Sequence, residues 1–347
     1  MAQELTASQK AQLFAMSTRQ NQHMLAREVS ATAPATVQFI LPKARLLASL
    51  MMKVKFKVKA NSAVDMSGMS TYDKEQIFGK AFTRVALDLN NGFSPFTVNG
   101  EELLLYNKVD INGVDYNTLL LSDITQVGTE DTDIEMCFFL PVTLSERDPI
   151  GLVLLQSDLT QVTLTINTSP IGTLGDITYE ASNFVFDVMT TTYSVPANAN
   201  AVPDLSTLKL VNGRSDAMPT AGQQIIKLAT GTIYRKIIFR ITNENGEPVD
   251  LDFITAPFEL VFNQADTNYR INADMLRIMN TKLLGYPLPK GCFVLDFSNA
   301  GSWTNLGGTR DLIDSANLNE LWLRFTTGGR GKIDVVTECI ARLSAVA

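Results

Sequence analysis

Residues 53–59 alternate Lys53, Lys55, Lys57 and Lys59 with Val54, Phe56 and Val58. Period two puts the lysines on one face of a β-strand and the apolar side chains on the other. Runs with strand character recur at 82–89, 103–109, 116–121, 134–142, 160–167, 183–193, 206–211, 232–241, 257–263, 291–297, 318–327 and 332–342. Five Asn-Gly dipeptides, at 91–92, 99–100, 112–113, 212–213 and 245–246, fall between or beside these runs. Asn-Gly supplies the two positive φ values of a type I′ hairpin turn. The pattern is that of an all-β chain.

Helical exceptions are few. Residues 6–28 lack Gly and Pro and open on Thr6 with Gln9 three residues on, which predicts a helix started by a capping box. The pattern from Asn272 to Leu284 predicts a second helix stopped at Gly285, and 72–80 a shorter helical turn. At 194–204, SVPANANAVPD interrupts the strands. The expected organisation is a basic helix or arm over 1–34, then two bodies over 35–195 and 196–347. Each body has the size of one eight-stranded jelly roll, so two tandem β-sandwiches are the economical reading. No residue-level repeat between them is visible.

Single residues exclude most chemistry. His23 is the only histidine of the chain, which removes Ser-His-Asp and Cys-His catalysis and the histidine-rich metal sites. Cys137, Cys292 and Cys339 lie far apart and form no C-x-x-C pair, so neither a disulfide scaffold nor a zinc site is expected. TTGGRGK at 326–332 lacks the first glycine of a phosphate loop and has Ile333 where Ser or Thr should stand. It is expected to be a hairpin loop. Asp131, Asp133 and Glu135 have calcium-loop spacing but Met136 in place of the glycine, which favours an outward strand edge. Glu101 and Glu102 are expected at a solvated tip. No catalytic residue, metal or cofactor is assigned.

The charge is uneven. Nine of the 29 Lys and Arg fall within residues 1–60, against two acids there, Glu4 and Glu28, in a chain of net charge −7. A basic N-terminal segment on an acidic body is expected to meet something anionic. Lys10, Arg19 and Arg27 in the N-terminal segment and Lys53, Lys55, Lys57 and Lys59 on the strand are the candidate interaction residues. The four lysines suit either a solubilising strand face or a basic surface turned toward a membrane or an adjoining subunit. No aromatics interleave with them, so specific nucleic-acid binding is not expected. Charged residues are 19% of the chain, below the usual quarter, as for a protein that hides surface against copies of itself or a partner. The N-terminus lacks a basic region followed by an apolar run, so synthesis in a cytoplasm is expected.

The segments LTASQKAQL and NQHMLARE near the N-terminus, GKAFTRVALDL (79–89), LPVTLSERDPIGLVLLQSDLTQVTLTI (140–166), PDLSTL (203–208) and LPKGCFVLDF (288–297) follow one another in an order that resembles the double jelly-roll major capsid proteins of tectiviruses, tailless icosahedral phages with an internal membrane. The resemblance implies two tandem eight-stranded jelly rolls behind an N-terminal α-helix and no catalysis. It implies homotrimers forming pseudo-hexameric capsomers of a virion shell, in contact with neighbouring capsomers and with minor and vertex proteins. The N-terminal helix would lie toward the inner membrane, with Lys10, Arg19 and Arg27 near anionic headgroups. Removing residues 1–28 would then leave the folded trimer.

Two other readings compete. A glycan hydrolase on a double jelly roll would work through paired carboxylates and would be secreted. A carbohydrate- or receptor-binding jelly roll would cluster exposed aromatics, and the chain has only Trp303 and Trp322 as tryptophans.

Overall fold

The computed structural model describes residues 7–90, 92–110, 116–144, 150–155, 161–264, 266–298 and 312–342. The alternation at the lysines is realised in the strand Leu46–Ala60, where each residue from Val54 to Ala60 in the apolar register is buried and each lysine lies on the opposite, solvent-facing side. This strand pairs with Ile177–Tyr193 along one edge and with Thr132–Pro141 and Val153–Leu154 along the other. The strands Gln20–Met24, Glu28–Ser30 and Gly172–Leu174 complete the sheet beyond Ile177–Tyr193. Facing it, Ala35–Ile40, Val162–Thr168, Phe82–Leu89 and Phe93–Val98 follow one another in a second sheet. Phe56, Phe82, Phe138 and Phe184 fill the space between, with ring centroids 5.0–5.9 Å apart.

The second half repeats this plan. Thr207–Met218, Gly331–Arg342, Ile233–Asn243 and Cys292–Asp296 form one sheet, and Gly222–Leu228, Leu321–Thr327, Ile254–Phe262 and Asp266–Ile271 the other. Phe239, Phe258, Phe293 and Phe325 pack between them. The fold is a double jelly roll. Its halves are fused at one parallel pairing, Val211 with Phe96 and Asn212 with Thr97, which joins a sheet of each roll into a single nine-stranded sheet.

Five α-helices are present among the described residues: α1 (Ala7–Ser17), α2 (Thr71–Gly79), α3 (Gly100–Asp110), α4 (Thr118–Leu121) and α5 (Ala273–Leu284). The expected helix and turn at 272–284 and 72–80 are there. Asn272 is the N-cap of α5 and Gly285 its left-handed C-cap. The phosphate-loop lookalike is not the expected hairpin: Leu321–Thr327 and Gly331–Arg342 lie in different sheets, and Gly328–Arg330 carries the chain from one to the other.

Several expectations fail. The N-terminal helix stops at Ser17; residues 20–24 are a strand, because pairing with residues 189–193 of a long neighbouring strand outweighs a helical propensity that is only moderate. The Thr6 cap, Asn112-Gly113 and Trp303 lie outside the described residues. The runs 103–109 and 116–121 are not strands but α3 and the α4 segment. Every residue of α3 from Gly100 to Val109 is buried, and a helix buried all round loses the periodicity that distinguishes it from a buried strand. Asn99-Gly100 is a helix start, not a hairpin: the Asn99 side chain accepts the Glu102 N–H at 2.8 Å and the Glu102 carboxylate accepts the Asn99 N–H at 2.7 Å. Asn212-Gly213 lies inside a strand.

A residue-level repeat also exists once topology supplies the alignment. In each roll one helix, α3 or α5, connects the last strand of one sheet to the edge strand of the other. Eight residues after its leading asparagine, Asn107 or Asn280 brackets that edge strand. Asn107 donates to the Phe139 carbonyl at 2.6 Å and accepts its N–H at 3.0 Å. Asn280 does the same to Val294 at 2.7 and 3.0 Å. The bracketed strands read Cys137-Phe138-Phe139-Leu140 and Cys292-Phe293-Val294-Leu295.

Candidate functional site

Three charged regions bear on the candidate residues: the N-terminal arm, the lysine face and the seam between the rolls. In the arm, α1 is anchored by Phe14, which is buried against Leu46, Ala48 and Leu152 and meets the Tyr193 ring edge-on at 5.4 Å. Lys10 and Arg19 are exposed. Arg27 is not free: its guanidinium is bidentate on Asp187, at 2.7 and 3.0 Å. Since Gln20–Met24 and Glu28–Ser30 are strands of the first roll, removing residues 1–28 would bare a sheet edge rather than trim a tail.

On the lysine face, acids from the adjoining strand answer the cations. Lys53 meets Glu135 at 2.7 Å, Lys55 meets the same carboxylate, and Lys57 lies 3.4 Å from Asp131. Bonds from Lys53 and Lys55 hold the Glu135 carboxyl below its usual range. Lys59 stands opposite Glu180 in register. Two of the calcium-spaced acids, Asp131 and Glu135, are therefore partners of the lysines on an outward sheet face, and Asp133 stands opposite Lys57 in register. Among the described residues no group of three or more His, Cys, Asp or Glu side chains is placed to hold a metal.

The seam was not legible in sequence. Here α3, from the first roll, lies on the outer face of the second roll's sheet, and Val211, Ile238, Val294 and Val336 of that sheet belong to the first roll's apolar cluster. Ionic groups stud this contact. The Tyr106 hydroxyl donates to Glu338 at 2.6 Å, and Lys209 and Arg235 lie 3.5 and 3.1 Å from the same carboxylate. Lys236 pairs with Asp110 at 3.0 Å. Arg240 bridges Glu101 at 2.7 Å and Asp334 at 3.1 Å and also donates to Gln76. Glu101 and Glu102 are thus buried, not a solvated tip; the helix that carries them is covered by the second roll.

Burial alone would raise the Glu338 carboxyl, but Lys209, Lys236 and Arg235 together hold it down at about 2. Glu102 goes the other way: burial, with Asp334 and Glu101 nearby, lifts it to about 7 against the Asn99 N–H bond. A cleft of about 970 Å³ opens at one end of the seam, where Lys290 pairs with Asp250 at 2.9 Å. Of the tryptophans, Trp322 is a strand residue with the Lys227 ammonium 5.9 Å from its ring centroid. No described helix is long and apolar enough to cross a membrane.

No family model matches the chain, and no curated protein matches it in sequence. Solved structures are similar in fold. The major capsid protein of Sulfolobus turreted icosahedral virus superposes with a TM-score of 0.69 at 13% identity, over 93% of this chain and 97% of that one. The PBCV-1 virus capsid protein gives 0.64 at 10%, over 94% and 95%. The major capsid protein of bacteriophage PM2 gives 0.52 at 9%, over 93% and 100%. The class is therefore that of double jelly-roll proteins, the fold these viral capsid proteins share. With 93–94% of this chain covered, the likeness runs through both rolls.

Proposed function

We propose that this chain is the major capsid protein of an icosahedral virion, a structural protein that works without catalysis or cofactor. The observation that supports it best is the fold shared with capsid proteins over nearly the full length of both chains. The seam fits the role: buried ion pairs and apolar contacts lock the two rolls into one rigid, two-lobed tile. Three such chains supply six rolls, the number of a pseudo-hexameric capsomer, and neighbouring capsomers with minor and vertex proteins would close the shell. On this reading α1 lies toward an inner membrane, where Lys10 and Arg19 meet anionic headgroups. The lysine face, whose charges are already answered by acids, turns to an adjoining subunit. The alternative glycan-directed readings gain nothing from the paired carboxylates, which serve as partners for lysine and arginine.

Light scattering after size exclusion tests the assembly. A species of three 38.1-kDa chains is expected, and a clean monomer at micromolar concentration overturns the reading. The membrane role has its own test: a Lys10→Glu, Arg19→Glu double variant is expected to lose flotation with anionic liposomes at low salt while keeping the parent's mass. Equal flotation of parent and variant removes that role.

A further inference from the structure

The helix α5 presents an unpartnered apolar ridge. Met275, Ile278 and Met279 are 51%, 64% and 45% exposed, on one face by their i, i+3, i+4 spacing. Within its own chain α5 packs on Cys292–Asp296 and Ile254–Phe262, so the ridge points away from the body.

The internal repeat says what belongs there. Counting from the leading asparagines Asn99 and Asn272, with Asn107 and Asn280 in register, Met275 is the counterpart of Glu102, Ile278 of Leu105 and Met279 of Tyr106. Those three residues of α3 are buried, and Glu102 and Tyr106 touch the second roll's sheet at Gly213 and Glu338. The surface beneath α3 is a row of register partners, Gly213, Val336, Ile238 and Val294. Val294 is the residue bracketed by Asn280.

The first roll carries the same kind of row. Starting from Phe139, which Asn107 brackets, the register partners are Met51, Met189 and Met24. Their side chains lie on the outward face; Met24 is 52% exposed, and Met51 and Met189 are half-buried. Two residues along, Lys53 and Asp187 stand where Arg240 and Asp334 stand in the second roll. Glu101, which pairs with Arg240, has Asp274 as its counterpart on α5. The ridge and the row therefore match in both apolar position and charge sign.

We propose that the Met275, Ile278 and Met279 ridge of α5 seats on the Met24, Met189 and Met51 row of a second copy of this chain, repeating between chains the joint that α3 makes within one. The joint is head to tail: each chain offers one ridge and one row, and a rotation that repeats closes a ring. Asp274 then faces the second copy's Lys53 as Glu101 faces Arg240. Methionine suits such a joint, because its unbranched side chain adapts to an irregular partner surface. The proposal rests on the reading of the chain as a self-assembling shell subunit and names the surface that assembles it.

The test uses two full-length variants at exposed positions, Ile278→Asp on the ridge and Met24→Asp on the row. Each is expected to run as a monomer by light scattering with the parent's far-ultraviolet circular dichroism spectrum, its thermal transition lowered only by the loss of association. Mixed in equal amounts they should form dimers, since one pair of intact surfaces remains between them. A charge exchange gives an independent check: Asp274→Lys and Lys53→Glu should each loosen the parent assembly, and the double variant should restore it. If the parent is a trimer and both single-surface variants remain trimers, the ridge and row are not the joint, while the shell reading stands. If the parent itself is a monomer, the shell reading fails and this surface with it.

Discussion

The carboxylate of Glu102, on a helix of the first roll, lies against the Cα of Gly213, in a strand of the second, so closely that a Cβ at Gly213 would overlap its oxygens. The contact explains a glycine in mid-strand, where glycine otherwise weakens a sheet. It also joins two Asn-Gly dipeptides that look like turns: one starts α3, and the other makes room for it.

Gly213→Ala is therefore expected to destabilise the chain by about 1–3 kcal/mol, the usual cost of overpacking a filled site. Urea unfolding of the variant measures it. Adding Glu102→Ala should recover part of the loss, a coupling that independent sites would not show.

Glu102 also sets a pH dependence. Its folded value of about 7 lies above the ordinary carboxylate value of 4.5, so the folded chain holds a proton that the unfolded chain has released. The contribution is complete below about pH 4.5 and is lost as pH rises through about 7, roughly 3 kcal/mol in all. Glu102→Gln cannot ionise and should be more stable than the parent at pH 8 but not at pH 4.5. Parallel stability curves for the two proteins would refute this.

Glu338 has the opposite sign. Held at about 2 by three cations, it stabilises the fold above its unfolded value near 4.5, and that stability drains away as pH falls toward 2. Glu338→Gln takes from the buried Lys209 and Lys236 one of the two carboxylates they share, leaving only Asp110. It is expected to cost about 3–5 kcal/mol at neutral pH and to flatten the acid limb of the stability curve, as measured by denaturant midpoints from pH 2 to 7.

Phe14 is the anchor of α1. Phe14→Ala should release the helix without unfolding either roll, since that small cluster is separate from the two main cores. Limited proteolysis should cut before Gln20 far faster than in the parent, with the main thermal transition unchanged. A lowered transition would mean instead that the arm is integral to the first roll.

The sequence by itself determined the β class, the tandem halves, the alternation at Lys53 to Lys59, the basic N-terminal end and the helix α5. Each rests on a local signal: a period, a cap, a turn dipeptide or a run of charge. Tertiary structure decided the rest. Burial of α3 on every side erased the period that would have marked it, and strand pairing took residues 20–24 from the helix they resemble. The charges of the seam look like surface residues in sequence because their partners come from the other half of the chain: Glu101 finds Arg240, and Tyr106 finds Glu338. The repeat that relates Asn107 to Asn280 was equally hidden. Few side chains are shared across it, and only the strand order shows that both amides bracket the same edge of the same kind of roll.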